Sequence, residues 1–249
     1  MEMADPPPQD LVECVGNVRS GIHRELEIRV GSMCDGKFFP GVSEAVFDQL
    51  EKDMIDAPTL VTDNKWDEIV DYFYINMRGG PTRTRVAFDT ESMELRSTHI
   101  VKMPLQNLVF RRGDDDDACK VSHSRETPLD DPPGTCVPTH VRIKQRKAFR
   151  DVRDGHVVWL YELSKTWSGT SRSAVEHLQN VSDPCYEVEC ELVDEGGGYL
   201  ARTSDEHVAA SLLLKSKMLL GEDPATPLEL IDVGVPARPR KRRGVRTLV

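Results

Sequence analysis

The sequence predicts a mainly β domain of barrel or sandwich type, with a few packing helices. Three observations predict it. Strand-like runs with a two-residue hydrophobic period follow one another along most of the chain. The segments between them, such as "RGGP" and "LDDPPGTCVP", are turn and loop chemistry. Helical patterns are few and do not alternate with the strands, as they would in a βαβ sheet, and no internal repeat is visible.

Taken in order, residues 1–20 open Pro-rich ("MEMADPPPQD") and are expected to be a disordered N-terminal segment. "HRELEIRVG" (23–31) alternates charged residues with Leu26, Ile28 and Val30, the period of a half-buried strand. Residues 41–56 read as a helix capped by Ser43, with Val46, Phe47, Leu50 and Met54 at helical spacing. Strands are expected around 60–62, 69–77, 82–89, 93–103, 119–126, 139–147, 156–165 and 185–193. The strongest helix is 204–220. Ser204 can cap it, Asp205 and Glu206 suit its N-terminal dipole, and Val208, Leu212, Met218 and Leu219 form an apolar stripe. The expected organisation is therefore one β domain, of barrel or sandwich type, over 21–222 and a flexible basic tail over 223–249.

The chain has 249 residues, enough to bury a substantial core, and a net charge of −10. The tail from Pro236 to Val249 carries six Lys/Arg and no acid, which leaves residues 1–235 near −16 (26 basic against 42 acidic residues). An acidic body argues against wholesale phosphate-backbone binding, so a polyanion would need a local basic site or a bound metal. No apolar run is long enough to span a membrane and no secretory leader is recognisable. Six cysteines without CxxC spacing read as reduced thiols.

The charges segregate by strand. Glu187, Glu189 and Glu191 share one strand face, as do Glu25, Glu27 and Arg29. Arg83 and Arg85 share another, and Arg142, Lys144 and Arg146 a fourth; Glu162 and Ser164 point one way and Lys165 the other. Alternate carboxylates about 7 Å apart repel by roughly 2–2.5 kcal/mol at an effective dielectric of about 20. Such rows fit either a solvated face or a bound cation. Ordinary wet faces mix signs, because cross-strand pairs favour opposite charges. Closing the sheet with these faces inward gives a lumen with an acidic floor and basic walls. Oxygen ligands there suit magnesium or manganese, and basic side chains beside such an ion suit an oligophosphate. This is triphosphate-hydrolysis chemistry.

"ELEIRVG", "TRTRVAFD" and "YEVECEL" resemble the motifs of the fungal and protozoan metal-dependent RNA 5′-triphosphatases of mRNA capping, in the triphosphate tunnel metalloenzyme superfamily, over roughly residues 23–193. The resemblance implies a closed eight-stranded antiparallel β-barrel and removal of the γ-phosphate from triphosphate-ended nascent RNA. It implies metal ligation by Glu25, Glu27, Glu187 and Glu189, with Glu191 and Glu126 orienting water. It further implies phosphate binding by Arg85, Lys144 and Arg146, with Arg142 and Lys165 as further bases and Glu162 as the acid of the "ELSK" strand; Arg83 and Lys102 are candidate phosphate-binding bases as well, with an outward salt bridge for Arg83 and a solvent-facing Lys102 as the alternatives. That strand departs from the pattern: Leu160 stands where an arginine is expected, and Arg142 or Lys102 is the expected substitute. Also implied are magnesium or manganese, an NTPase side activity on nucleoside triphosphates with manganese, a guanylyltransferase partner and a nuclear location, for which the basic tail could be the import signal. The alternatives are a small-molecule triphosphatase of the CYTH group, whose ExExK signature is approximated by Glu25-Leu26-Glu27-Ile28-Arg29, and a non-catalytic acidic barrel whose glutamates face outward to a basic partner. The run Asp114 to Asp117 reads as a solvated loop.

Overall fold

A computed structural model describes residues 6–75, 81–89, 94–111, 116–130, 137–194 and 197–231. The tail from 236 and residues 114–115 of the acidic run lie outside the described residues. In chain order the elements are α1 (Gln9–Arg19), β1 (Arg24–Cys34), β2 (Lys37–Pro40), α2 (Glu44–Asp56), β3 (Leu60–Val61), β4 (Asp67–Ile75), β5 (Pro81–Asp89), β6 (Glu94–Arg111), β7 (Asp117–Leu129), β8 (His140–Arg153), β9 (His156–Gly169), α3 (Arg172–Val181), β10 (Cys185–Leu192), α4 (Gly198–Arg202), α5 (Asp205–Leu219) and β11 (Glu229–Ile231).

Eight antiparallel strands close on themselves in the order β1-β10-β9-β8-β4-β5-β6-β7 and back to β1. Closure satisfies the edges of the sheet. The short strands β2, β3 and β11 pair onto β1, β8 and β6 outside that ring. The β8–β9 hairpin turns on two residues, Asp154 (φ 52°) and Gly155 (φ 81°). Two consecutive positive φ values make the turn that matches strand twist, and Asp-Gly adopts it readily.

Each strand's alternation sorts its side chains between two environments. Leu26, Ile28 and Val30 of β1, Val188, Cys190 and Leu192 of β10, and Trp159, Tyr161 and Leu163 of β9 face outward into a core shared with helices α1, α2 and α5. A smaller outer cluster joins Val70, Val141, Ile143 and Val175 beneath α3. Ser43 and Ser204 cap their helices as expected, their hydroxyls accepting from the backbone N–H of Val46 and His207. The alternate residues of the strands line the lumen.

Three sequence expectations are corrected. Residues 9–19 are helical, because Leu11, Cys14, Val15 and Val18 recur at helical spacing and are buried against the barrel; the Pro-rich start masked that stripe. Residues 229–231 extend the sheet by pairing with β6. The strand expected over 93–103 runs on to Arg111, with a register shift between Pro104 and Gln106 that lets the proline sit without a ladder donor. Among the described residues the cysteines are free.

Candidate active site

The acidic floor is built by β1 and β10. Their register sets Glu27 opposite Glu191 and Arg29 opposite Glu189. Glu25, two residues from Glu27 on the same face, accepts a hydrogen bond from Ser124 Oγ at 2.6 Å. The glutamates therefore face inward, which overturns the reading of an acidic barrel with outward carboxylates.

Two strand contacts away, β8 supplies the basic wall. Lys144, 2 % exposed, lies 2.9 Å from Glu187 and 3.5 Å from Glu189. Arg146 donates to Glu162 at 2.5 Å. Arg142 reaches Asp71 at 3.2 Å and Glu187 at 3.6 Å. On β5, Arg85 grips both oxygens of Asp71 at 2.8 and 3.1 Å, a bidentate fork, and Arg83 meets Glu126 at 3.3 Å. Lys102 of β6 pairs with Glu25 and lies 3.5 Å from both Glu27 and Glu126. Arg83 and Lys102 are thus lumenal, not solvent-facing.

Lys165 is the exception among the expected bases. It is the register partner of Tyr186 on the outer face, and its ammonium sits 5.3 Å from the Trp66 ring. A strand cannot turn Glu162, Ser164 and Lys165 to one side, because neighbouring side chains alternate. Lys165 is therefore removed from the phosphate-binding set.

The register also places the glutamates expected to hold metal in different surroundings. Glu187 lies at the far end of β10 from the β1 acids, held by Lys144 and Arg142. Glu189 carries a carboxyl held far below the usual range: burial works against ionisation, but Lys144 and Arg29 outweigh it. Glu191 is the opposite case. Burial, then the charges of Glu25, Glu162 and Glu27, push its carboxyl up to about 8. Glu191, not Glu187, is thus the β10 carboxylate beside Glu27 and lacks a neutralising cation among the described residues.

Among the described residues no group of three or more His, Cys, Asp or Glu side chains is already drawn together as a metal site. The donor set nevertheless fits a hard divalent cation: Glu25, Glu27 and Glu191 offer oxygen ligands only, and the repulsion between these acids, which raises the Glu191 carboxyl, is what such an ion would relieve.

Sequence reasoning missed Asp71. It is fully buried, bridges Arg85 and Arg142, and its carboxyl lies well below the usual range despite burial, because those guanidiniums favour the charged form. An acid inside the apolar run "EIVDYFYI" was the available signal. Arg29, grouped with Glu25 and Glu27 on one strand face but given no site role, lies 3.0 Å from both Glu27 and Glu189; the hydroxyl of Thr166 was missed. Thr166 and Ser164 face the basic wall, buried without a hydrogen-bond partner among the described residues. Such orphaned hydroxyls in a polar lumen are fit to meet phosphate oxygens or ordered water.

No family model matches the chain, and no curated protein matches it in sequence. Solved structures do match. The S. pombe Pct1 RNA triphosphatase aligns with a TM-score of 0.54 at 15 % identity, covering 89 % of this chain and 93 % of that one. The RNA triphosphatase domain of a trifunctional mimivirus mRNA capping enzyme aligns with a TM-score of 0.53 at 12 % identity, covering 86 % and 96 %. Pct1 is also matched in its complex with the Spt5 CTD, at a TM-score of 0.54 and 16 % identity. The closed eight-stranded barrel of this chain has the triphosphate tunnel fold of these RNA triphosphatases.

Proposed function

We propose that the chain is a metal-dependent RNA 5′-triphosphatase that hydrolyses the γ-phosphate of triphosphate-ended RNA to leave a diphosphate end and phosphate. The observation that carries this reading is the row Glu25, Glu27 and Glu191 facing the basic wall Arg142, Lys144 and Arg146 across one closed lumen. The matched RNA triphosphatase structures support it by fold alone.

Glu25, Glu27 and Glu191 would hold magnesium or manganese. When bound, the ion supplies charge neutralisation and polarisation of a γ-phosphoryl oxygen. Arg85, Lys144 and Arg146 bind the phosphate oxygens and offset the charge that moves onto the leaving β-phosphate oxygen. Asp71 orients the Arg85 and Arg142 forks, and Glu162 orients Arg146. Glu126, 26 % exposed and beside Lys102, accepts the proton of the attacking water. The P–O bond to the β-phosphate then breaks as the bond to water forms.

Phosphate release from γ-labelled RNA tests the reading. Release with magnesium, lost in EDTA and leaving a diphosphate end, is expected; no release with either metal overturns it. Arg85→Lys is expected to lower kcat/KM by about 10- to 100-fold with little change in melting temperature, because an ammonium lacks the two-pronged fork. Full activity in that variant would remove Arg85 from the phosphate grip.

Arg29 facing the lumen also favours a second reading, a small-molecule triphosphatase. A higher kcat/KM for tripolyphosphate than for triphosphate RNA would select it. Hydrolysis of nucleoside triphosphates with manganese is expected under both readings. Because a diphosphate RNA end is the acceptor for guanylyl transfer, a guanylyltransferase is the class of enzyme that must consume the product. The basic tail supports a nuclear location.

A further inference from the structure

The lumen is crowded with ion pairs, but one inward arginine stands outside them. Arg150 of β8 is the register partner of Leu160 on β9. It shares the inward face with Arg142, Lys144, Arg146 and Ala148, while Phe149 on the other face is buried in the outer core. Arg146 is matched by Glu162, Lys144 by Glu187 and Arg85 by Asp71. Arg150 forms no ion pair or side-chain hydrogen bond among the described residues.

Arg150 lines a cavity of about 170 Å³ at the mouth of the barrel, with Arg146 and Glu162 as the other charged groups. The rest of the lining is apolar: Ala148, Val157, Leu160 and Val193. Its position relative to the acidic floor follows from consecutive register pairs. Arg150 is opposite Leu160, Leu160 opposite Glu191, and Glu191 opposite Glu27. With adjacent strands about 4.8 Å apart, the Arg150 and Glu191 backbones are separated by about 10 Å, within the reach of an extended arginine. An unmatched guanidinium in a partly apolar recess has a stronger field than one in water and retains its donors for an incoming ligand. The one acid in the cavity, Glu162, is already engaged by Arg146.

We propose that Arg150 is a phosphate-binding residue: with Arg146 it grips non-bridging oxygens of the substrate's oligophosphate chain at the mouth of the lumen. This rests on the proposed triphosphatase function. The guanidinium does from β8 what a base at Leu160 would do from β9, since register partners project into the same space. Neither Arg142 nor Lys102 fills that place: Arg142 is held by Asp71 and Glu187, and Lys102 by Glu25.

The test uses the full chain with imidotriphosphate, whose P–NH–P links resist hydrolysis, titrated calorimetrically in magnesium, together with KM for triphosphate RNA. Arg150→Ala is expected to raise the imidotriphosphate Kd and the RNA KM each by about 10-fold or more, with the melting temperature unchanged. Placing the charge across the strand pair, in the double variant Arg150→Leu with Leu160→Arg, is expected to recover most of the lost affinity. Unchanged imidotriphosphate affinity in Arg150→Ala overturns the proposal. So does a defect confined to RNA, which would assign Arg150 to the nucleic-acid backbone beyond the triphosphate. Failure of the parent chain to bind imidotriphosphate or release phosphate would overturn the triphosphatase reading itself, an outcome distinct from a silent Arg150→Ala.

Discussion

Glu27→Ala and Glu191→Gln are each expected to lower metal-dependent phosphate release by more than about 100-fold while the barrel stays folded. They should also abolish the rise in melting temperature that magnesium or manganese gives the parent. The register that sets Glu27 opposite Glu191 is the reason the two should behave alike. Glu187→Ala is the contrasting variant. Its carboxylate is committed to Lys144 at 2.9 Å, so metal-dependent stabilisation should survive even if phosphate binding suffers. In metal-free buffer Glu191→Gln should melt no lower than the parent, because burial beside Glu25, Glu162 and Glu27 already favours the protonated carboxyl that glutamine imitates. Metal stabilisation retained in Glu191→Gln and lost in Glu187→Ala would reverse the assignment of the two residues.

The second large effect concerns Asp71. Asp71→Ala is expected to destabilise the protein by about 3–5 kcal/mol, because it strands buried guanidiniums without their counter-charge. Arg85 and Arg142 both lose a partner, and Arg83 nearby adds to the uncompensated positive charge. Denaturant unfolding of parent and variant at pH 7 measures the difference; a change under about 1 kcal/mol would show that water or another acid takes over the pairing. The pH dependence follows from linkage. The Asp71 carboxyl is depressed in the folded protein below the ordinary aspartate range, so its contribution is present above about pH 4–5 and is lost as pH falls further. The parent should therefore lose stability on acidification through that window more steeply than Asp71→Ala, in which the titrating group is gone.

The sequence was readable wherever a property is local. A strand's two-residue period fixes which side chains share a face, so the rows Glu25–Glu27, Glu187–Glu189–Glu191 and Arg142–Lys144–Arg146 could be grouped without knowing their neighbours. Ser43 and Ser204 were legible as caps, because a cap is a contact between residues three apart. The same rule shows that Lys165 could not share a face with Glu162. Helix α1 escaped notice only because its stripe Leu11, Cys14, Val15 and Val18 is short and follows a proline run.

Sequence alone thus determined the alternating faces, the segregation of acidic and basic rows, and the mainly β character of the chain. Tertiary structure alone decided which row meets which. Register between β1 and β10 selects Glu191 over Glu187 as the neighbour of Glu27; pairing of β4 with both β5 and β8 makes Asp71 the clasp of two arginines; and the β8–β9 ladder brings Arg150 beside Leu160. The physical reason is that sheet register is set by hydrogen bonding and packing between segments far apart in the chain. A shift of two residues keeps every side chain on its face but changes every partner, and that difference is invisible to the pattern of any single strand.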